Sequence, residues 1–258
     1  MVVNGDIMIN PQWYKNGWTL DIKNQSWVED TQNQVDFIIK ILELKGNEKI
    51  LDLACGFGRH SLYLSKIGYA VTGVDITKDY IIDAKNEACK SGLTIDFIHD
   101  DIRNLKFSEE FDVVLNLADG AIGYLENDEE NLKVFDIISK ALKSGGKHFM
   151  DICNAEHAQT HFPKKHWEIG SKSLSLPEFI WEEKTNRMLY SQWEAEFGKV
   201  LVKPEKTEPL NSIRLYTKKE LESIFKNRNM KIVKTFCDYY GNRDSIKELQ
   251  LMVYSRKK

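Results

Sequence analysis

Apolar residues in the first 150 positions switch repeatedly between helical and strand-like spacing. From Trp27 to Leu44 they recur every three or four residues, which predicts an amphipathic helix. Five short apolar runs then alternate with helical segments. The predicted strands are 49–54, 70–75, 94–100, 111–117 and 147–153, and the intervening helices are 56–67, 77–92 and 126–142. This alternation predicts right-handed crossovers and a parallel sheet that is covered on both faces.

The pattern changes after residue 154. Residues 155–215 show no clear crossover helix and are rich in aromatic residues, and 178–197 predict a hairpin that turns near Thr185, Asn186 and Arg187. A capped helix follows at 217–229. The last two apolar runs, at 231–240 and 247–256, lie too close together for a parallel crossover, so they should pair antiparallel. We therefore expect an α/β fold with a doubly wound seven-stranded sheet, an antiparallel last strand and a smaller β-rich cap.

Composition and charge narrow the function classes. The 258 residues are 42% hydrophobic and 29% charged, and 36 Lys and Arg nearly balance 39 Asp and Glu. A net charge of -3 argues against a strongly basic nucleic-acid-binding protein. The four cysteines are far apart and show no zinc-ligand spacing, which predicts free thiols in a reducing compartment and no metal site. Without a leader-like N-terminus or a long apolar run, a cytoplasmic protein with no membrane contact is expected.

Residues 51–60, LDLACGFGRH, join the end of a predicted strand to the start of a helix. Gly56 and Gly58 would let the backbone approach a ligand and would present helix N-terminal amides to it. The next strand ends in Asp75, seventeen positions after Gly58, where an acid can accept hydrogen bonds from ribose hydroxyls. A nucleotide-type cofactor is therefore predicted at this edge of the sheet.

Two cofactor classes use such a turn. A nicotinamide enzyme needs Gly or Ala at the last position of the Gly-x-Gly-x-x-Gly motif, and here Ser61 stands there after the bulky Arg59 and His60, which weakens that interpretation. S-adenosylmethionine carries no pyrophosphate and needs only the turn and the ribose acid. At the end of the third strand, Asp101 could accept from an adenine amino group, with Ile102 beside the ring.

Several segments together are similar to the class I S-adenosylmethionine-dependent methyltransferases over nearly the whole chain. More narrowly, the chain resembles a group of bacterial members with an aromatic N-terminal helix and a β-rich insertion after the fifth strand. The matching segments are KILDLACGFGRHSLYLSKIGYAVTGVDIT, DDIRNL, FDVVLNLADGAIGY, ALKSGGKHFMDICN and SIRLYTKKEL. Two departures are Ala54, where many relatives carry glycine, and the ADGA segment at 118–121, where relatives often carry Ser, Thr or Phe.

The resemblance implies a catalytic domain at 1–154 and 216–258, with an N-terminal helical lid at 10–45 and a cap insertion at 155–215. It implies S-adenosylmethionine as the cofactor and S-adenosylhomocysteine as the product. The expected cofactor-binding residues are Tyr14, Asp52, Ala54, Cys55, Gly56, Gly58, Asp75, Ile76, Asp101, Ile102 and Leu117. For Tyr14 and Trp18, packing in an N-terminal core is the alternative to a lid that touches the ligand.

Methyl transfer depends mainly on aligning the reactants, so no catalytic triad is expected, and a general base is needed only for a protonated nucleophile. The candidate bases are Tyr14, Asp119, Tyr124, His157, His161 and His166. Glu182, Glu194 and Glu196 could bind a cationic amine if their hairpin face lined the pocket. Arg59 and His60 are assigned to packing or to an indirect role.

The aromatic insertion leaves three interpretations open: a lid over a small-molecule pocket, a dimer contact or a base-stacking platform. Its aromatic residues are Phe162, Trp167, Phe179, Trp181, Trp193 and Phe197. Because the hairpin carries more Glu than Lys or Arg, the lid is preferred. The prediction is a methyltransferase that acts on a nitrogen or oxygen of a small molecule, as a monomer or homodimer. The alternatives are an RNA or protein methyltransferase, a non-catalytic binding module and a nicotinamide enzyme.

Overall fold

The computed structural model describes residues 10–170, 172–200 and 211–258. Residues 1–9, 171 and 201–210 lie outside this description. They include part of the predicted cap at 155–215 and the start of the N-terminal stretch in which no leader was predicted. Within these ranges, no helix is both long and apolar enough to cross a membrane. No group of three or more His, Cys, Asp or Glu side chains in the same ranges could hold a metal ion.

The predicted seven-stranded sheet is confirmed. The strands in chain order are β1 Lys49–Leu53, β2 Ala70–Asp75, β3 Asp96–His99, β4 Phe111–Asn116, β5 Leu142–Cys153, β6 Lys164–Lys165, β7 Glu168–Ile169, β8 Ser173–Glu182, β9 Arg187–Glu196, β10 Asn211–Arg214, β11 Met230–Phe236 and β12 Gln250–Lys257. The sheet has the order β11-β12-β5-β4-β1-β2-β3, and β12 runs antiparallel to both of its neighbours. The order reverses between β1 and β4, where the carboxyl ends of the strands open a crevice.

The helices follow the predicted pattern with shifted ends. They are α1 Ser26–Glu29, α2 Thr31–Leu42, α3 Arg59–Lys66, α4 Lys78–Lys90, α5 Asp128–Ala141, α6 Ala155–His161 and α7 Lys218–Lys226. The single helix predicted from Trp27 to Leu44 is wrong in one respect, because the chain breaks at Asp30 into α1 and α2. The helix predicted from Gly56 begins three residues later, because Gly56 and Gly58 adopt φ of +58° and +76°.

An apolar layer covers each face of the central sheet. Successive side chains of a strand point to opposite faces, so neighbouring residues pack into different layers. Leu51 and Leu53 of β1 pack with α5 and α7, whereas Ile50 packs with α2 and α3 on the other face. The residues of both layers are nearly inaccessible to solvent. The buried layers hold the strand ends rigidly, and this fixes the loops that leave the carboxyl edge of the sheet.

The insertion forms a second, antiparallel sheet. Its order is β10-β9-β8-β6, with β7 also paired to β8, and the hairpin turns between Glu182 and Arg187 as predicted. The short helix α6, which was not anticipated, precedes this sheet and is capped by the Asn154 side chain, which accepts from the Glu156 amide.

Two hydrogen-bonded contacts tie this second sheet to the loop after β4. The Arg187 Nη2 atom donates to the Leu125 carbonyl at 3.0 Å, and the Arg214 amide donates to the Gly123 carbonyl at 2.8 Å. Gly123 has φ of +85°, and a Cβ atom there would lie 1.9 Å from the Arg214 carbonyl oxygen. Glycine is therefore required at this junction on both conformational and steric grounds.

Candidate functional site

The turn after β1 uses its two glycines for different purposes. A Cβ atom on Gly56 would meet nothing closer than the Tyr80 ring, at 3.9 Å, so this position faces open space. A Cβ atom on Gly58 would lie 2.7 Å from the Phe97 ring, so the structure places Gly58 against β3 and away from the pocket. Ala54 also has a positive φ, of +56°. The turn therefore places backbone atoms, without a covering side chain at Gly56, along one side of the crevice.

Asp75 is held in place by the backbone of that turn. Its Oδ2 atom accepts from the Gly56 amide at 2.9 Å, and its Oδ1 atom accepts from the Thr77 amide at 2.7 Å. Burial raises the pKa of Asp75, against the opposing effect of these two hydrogen bonds. A carboxylate can accept about four hydrogen bonds, so each oxygen keeps capacity for a ligand hydroxyl.

A cleft of about 120 Å³ lies above the turn. Six Tyr, Trp and Phe residues are among the twenty that line it, together with aliphatic, small and polar residues. The lining residues are Tyr14, Trp18, Ile22, Trp27, Asp52, Ala54, Cys55, Gly56, Phe57, Arg59, His60, Asp75, Ile76, Thr77, Tyr80, Leu117, Ala118, Gly120, Ala121 and Tyr124. The structure thus brings together eight of the eleven predicted cofactor-binding residues.

The N-terminal segment forms the outer wall of the cleft. The Tyr80 hydroxyl donates to the Thr19 carbonyl at 2.9 Å, and the Tyr14 hydroxyl donates to Glu126 Oε1 at 2.9 Å. Tyr14 is also almost fully buried. Tyr14 and Trp18 therefore both pack against the core and line the cleft.

Asp101 and Ile102, the predicted adenine contacts, do not line the cleft. Burial acts to raise the pKa of Asp101, but hydrogen bonds from the Arg103 amide and guanidinium outweigh it and the pKa lies below its usual value. Arg103 Nε lies 3.0 Å from both carboxylate oxygens of Asp101. The Ile102 side chain packs into the main core. An adenine contact by Asp101 would have to share the carboxylate with Arg103.

The loop after β4 contains four consecutive residues with left-handed backbone. The φ values from Ala118 to Ala121 are +51°, +68°, +48° and +63°. Such residues cost about 1–3 kcal/mol each when they are not glycine, and they collect at functional sites. The Asn116 side chain stabilises the turn by donating to the Gly120 carbonyl at 2.8 Å. This strained turn and Leu117 form one end of the cleft.

Asp119 and Tyr124, two of the candidate bases, are paired within this loop. The Tyr124 hydroxyl donates to Asp119 Oδ2 at 3.3 Å, and the Cys153 amide donates to Asp119 Oδ1 at 3.1 Å. Burial raises the pKa of Tyr124 well above its ordinary value, and the Asp119 charge adds to the effect. The Tyr124 hydroxyl is therefore a donor and no base at neutral pH, which leaves Asp119 as the proton acceptor of the pair.

The candidate residues of the insertion do not reach the cleft. The rings of His161 and His157 stack at 4.2 Å on α6, and His166 stacks on Phe179 at 5.7 Å. None of the residues described between 155 and 215 lines the cleft, and this includes Glu182, Glu194 and Glu196. The described part of the insertion therefore does not supply the aromatic cover that was predicted. Trp18 and Trp27 of the N-terminal segment line the cleft instead.

Two buried acids near the cleft have displaced pKa values. Burial raises the pKa of Asp52 to about 6, although the Ser61 hydroxyl donates to it at 2.6 Å. Burial also raises the pKa of Asp151 to about 7, against the effect of a hydrogen bond from Tyr239 at 2.7 Å. Gln250 donates to the other oxygen of Asp151. Burial disfavours the charged form of both groups, and the positive charge of Arg59 offsets only part of this effect.

Replacing Asp151 with asparagine is expected to change how stability depends on pH. Between pH 4 and 7 the folded protein holds a proton at Asp151 that the unfolded chain has lost, so the contribution of this group to stability falls as pH rises. An asparagine at this position cannot titrate, so the variant should gain about 2–3 kcal/mol relative to the wild type between pH 5 and pH 8. Urea denaturation at several pH values measures this difference.

The matched control is Asp112→Asn. Burial acts to raise the Asp112 pKa, but hydrogen bonds from Lys143 and the Lys49 amide lower it below its usual value of 3.8. Its contribution to stability therefore changes only below about pH 4, with the opposite sign, and the Asp112→Asn and wild-type profiles should run parallel between pH 5 and pH 8. Parallel stability profiles for Asp151→Asn and the wild type would show that Asp151 is ionised in the folded protein throughout this range.

Comparison with known proteins adds an independent line of evidence. A family model described as a methyltransferase domain matches residues 50–146, the segment from β1 to β5. A protein of Geobacillus sp. (strain WCH70), whose name assigns it only to the methyltransferases, is 29% identical over 135 residues, which are 52% of this chain and 54% of that protein. The glycine/sarcosine N-methyltransferase of Aphanothece halophytica is 26% identical over 160 residues, 60% of each protein.

The fold is shared with solved structures. The CcbJ methyltransferase of Streptomyces caelestis superposes with a TM-score of 0.74 at 15% identity and covers 97% of both chains. The sequence matches span only about half to three-fifths of the two relatives. The family model covers the region that carries the glycine turn and Asp75. Residues 50–146 therefore form a methyltransferase domain, and the chain shares the fold of solved S-adenosylmethionine-dependent methyltransferases.

Proposed function

We propose that the protein transfers a methyl group from S-adenosylmethionine to a nitrogen or oxygen of a small molecule. The observation that carries this proposal is the aromatic N-terminal segment along the cleft. Tyr14, Trp18 and Trp27 line the cleft, so the acceptor would lie beside the cofactor and near these rings. A small molecule can approach between such rings more easily than a folded protein or an RNA duplex, and this favours the small-molecule class.

The residues of the cleft fit the cofactor. Asp75 keeps acceptor capacity for two ribose hydroxyls, and Gly56 leaves space for the backbone to approach the ligand. Ile76 lines the wall directly after Asp75, where it would flank the adenine ring. Asp101 remains our prediction for the adenine amino group. The bound cofactor would supply an electrophilic methyl group on a sulfonium centre.

The acceptor would lie against the strained turn at 118–121. Ala118, Gly120 and Ala121 present small side chains and backbone there, which leaves room for a substrate. Tyr124 can orient an acceptor through its ring. If the nucleophile of the acceptor carries a proton, Asp119, which is hydrogen-bonded to the Tyr124 hydroxyl, can accept that proton. Excluding water and aligning the two reactants account for most of the rate enhancement expected of such a site.

A relative with a named acceptor supports the small-molecule class. The glycine/sarcosine N-methyltransferase of A. halophytica acts, by its name, on two small amino acids. The net charge of -3 gives no support to an RNA acceptor, which would need a basic surface around the cleft. An RNA or protein acceptor is therefore the second candidate.

The test uses methyl-labelled S-adenosylmethionine, the purified protein and a lysate fractionated by size. We expect label in the small-molecule fraction, with the Asp75→Ala variant as the matched control that transfers little. Label in RNA or protein would contradict the small-molecule assignment. Transfer to no fraction, combined with tight binding of S-adenosylhomocysteine, would favour a non-catalytic cofactor-binding module.

A further inference from the structure

Three tyrosine hydroxyls belong to residues that line the cleft, and each has already donated its only proton. The Tyr14 hydroxyl donates to Glu126 at 2.9 Å, and the Tyr80 hydroxyl donates to a backbone carbonyl at 2.9 Å. The Tyr124 hydroxyl donates to Asp119 Oδ2 at 3.3 Å. Since a hydroxyl has one proton and two lone pairs, these oxygens can only accept a hydrogen bond from a ligand.

The charged side chains of the cleft show the same preference. Asp52 and Asp75 both line it. Arg59 is the only Lys or Arg among the described lining residues, and two residues of α2 orient its guanidinium by accepting hydrogen bonds from it. His60 is no second cation, because burial lowers its pKa well below the ordinary value. The side chains around the cleft therefore favour a ligand that carries hydrogen-bond donors or a positive charge.

Asp119 stands behind Tyr124 in the turn at 118–121, and its charge lacks a counterion. Its Oδ1 atom accepts from the Cys153 amide at 3.1 Å. In the part of the chain that the structure describes, no Lys, Arg or His forms an ion pair with this carboxylate. Glu126, the other acid that accepts from a tyrosine of the cleft, differs because Arg103 pairs with it at 3.2 Å. A buried carboxylate without a counterion is costly, and a cationic ligand would reduce that cost.

Two nearly parallel aromatic rings line the cleft beside this acid. The planes of Trp18 and Tyr124 differ by 13°, and their centroids lie 6.1 Å apart. Trp13 packs against them at 5.5 and 4.9 Å, and its indole nitrogen donates to the Ser212 carbonyl at 3.2 Å. These contacts fix both rings before a ligand binds. The face of an aromatic ring attracts a cation within about 6 Å of its centroid, because the face carries the negative part of the ring quadrupole.

We propose that the methyl acceptor is an amine, and that it binds as an ammonium ion against the rings of Trp18 and Tyr124, with one N–H group donating to the Tyr124 hydroxyl oxygen. This inference rests on the proposed function, since it requires an acceptor beside S-adenosylmethionine in this cleft. A carboxylate or phenolate would meet acceptor oxygens and the unpaired charge of Asp119. An alcohol would leave that charge unbalanced, so a nitrogen acceptor is favoured over an oxygen acceptor.

The bound ammonium ion must lose a proton before it can react, because its nitrogen has no lone pair. The proton passes from nitrogen to the Tyr124 oxygen while the hydroxyl proton passes to Asp119 Oδ2 along the existing hydrogen bond. Tyr124 keeps one proton throughout, and Asp119 becomes a neutral acid. Burial raises the pKa of Asp119 and so improves it as a proton acceptor. The amine lone pair then forms the N–C bond as the S–C bond breaks, and the electron pair of that bond stays on sulfur.

The test measures binding in the absence of methyl transfer. The protein is saturated with S-adenosylhomocysteine, which has no methyl group to give, and is titrated in a calorimeter with benzylamine, benzyl alcohol and benzoate. These probes share one ring and differ in their charge at neutral pH. We expect benzylamine, which is then an ammonium ion, to bind about 10-fold more tightly than benzyl alcohol, and benzoate to bind most weakly.

Two variants assign the preference to the residues proposed. Asp119→Asn removes the charge and keeps a side-chain oxygen for the Tyr124 hydroxyl, so it should weaken benzylamine binding by about 10-fold and leave benzyl alcohol unchanged. Tyr124→Phe keeps the ring and removes the hydroxyl, so it should weaken benzylamine binding by about 3- to 10-fold. Asp96→Asn is the matched control, because it removes an exposed acid at the start of β3, on the opposite edge of the sheet, and should change neither probe.

The outcomes separate this inference from the function on which it rests. Wild-type protein that binds benzyl alcohol or benzoate at least as tightly as benzylamine would overturn the proposal. Equal losses for benzylamine and benzyl alcohol in Asp119→Asn would mean that Asp119 only shapes the turn, and unchanged benzylamine binding there would show that its charge plays no part; both results overturn the proposal. If Asp119→Asn does not fold, unchanged benzylamine binding by Tyr124→Phe overturns it instead. Wild-type protein that does not bind S-adenosylhomocysteine would overturn the proposed function itself.

Discussion

Replacing Asp75 with alanine should weaken S-adenosylhomocysteine binding by about 1.5–3 kcal/mol, or roughly 10- to 100-fold. The carboxylate is buried beneath the cleft, and the amides of Gly56 and Thr77 fix its two oxygens. The variant loses the charge-assisted hydrogen bonds to ribose and also the support of the glycine turn. Isothermal titration calorimetry measures the loss of affinity, and thermal unfolding of the unliganded protein measures the loss of support.

Two further variants separate these contributions. Asp79→Ala removes an exposed acid four residues away, in the first turn of α4, and should leave the affinity unchanged. Asp75→Asn keeps one acceptor oxygen and should bind with intermediate affinity. If folded Asp75→Ala binds S-adenosylhomocysteine as tightly as the wild type, the ribose site lies elsewhere.

Replacing Gly123 with alanine should destabilise the protein by about 2–5 kcal/mol, the sum of a conformational and a steric cost. The new Cβ atom would lie 1.9 Å from the Arg214 carbonyl oxygen, and neither backbone segment can move away without breaking the hydrogen bond between the Arg214 amide and the Gly123 carbonyl. The positive φ of +85° adds a conformational cost of about 1–2 kcal/mol. The overlap with a backbone atom adds a cost of roughly 1–3 kcal/mol. Denaturation in urea gives the change in the free energy of unfolding.

Gly46→Ala is the control for this variant. Gly46 has a similar φ of +99°, but a Cβ atom there would meet nothing within 4 Å, so only the conformational cost of about 1–2 kcal/mol should remain. Equal destabilisation by the two substitutions would mean that the second sheet moves away from the loop after β4 at little energetic cost. In that case the second sheet would contribute little to the conformation of the loop.

The strained turn at 118–121 shows what a sequence alone could not reveal. The letters ADGA carry one glycine, yet four consecutive residues adopt left-handed backbone. Local propensity favours this conformation only for Gly120. The Asp119 amide donates to the Asp151 carbonyl of β5, and the Asn116 side chain at the end of β4 donates to the Gly120 carbonyl, so contacts from two strands stabilise the turn. Tertiary contacts therefore override local preference at the end of the cleft where the acceptor is proposed to bind.

Arg59 illustrates the same limit for a charged residue. Its place after the second glycine suggested helix packing or an indirect role, although the glycine turn beside it predicted a cofactor. The partners that orient it are Thr31, Gln34 and Trp27, all at least 25 positions earlier in the chain. Only the packing of α2 against α3 shows which side chains contact Arg59 at the edge of the cleft.

The sequence by itself determined the doubly wound arrangement of the central sheet, the antiparallel last strand, the hairpin of the second sheet and the acid at the end of β2. These features depend on periodicity and on local turn chemistry, which short segments carry in full. Only the tertiary structure decided which aromatic residues cover the cleft, that Asp101 is paired with Arg103, and that Gly58 packs on Phe97. The physical reason is that a segment's sequence fixes which of its faces is apolar, whereas contacts between distant segments fix what each side chain touches.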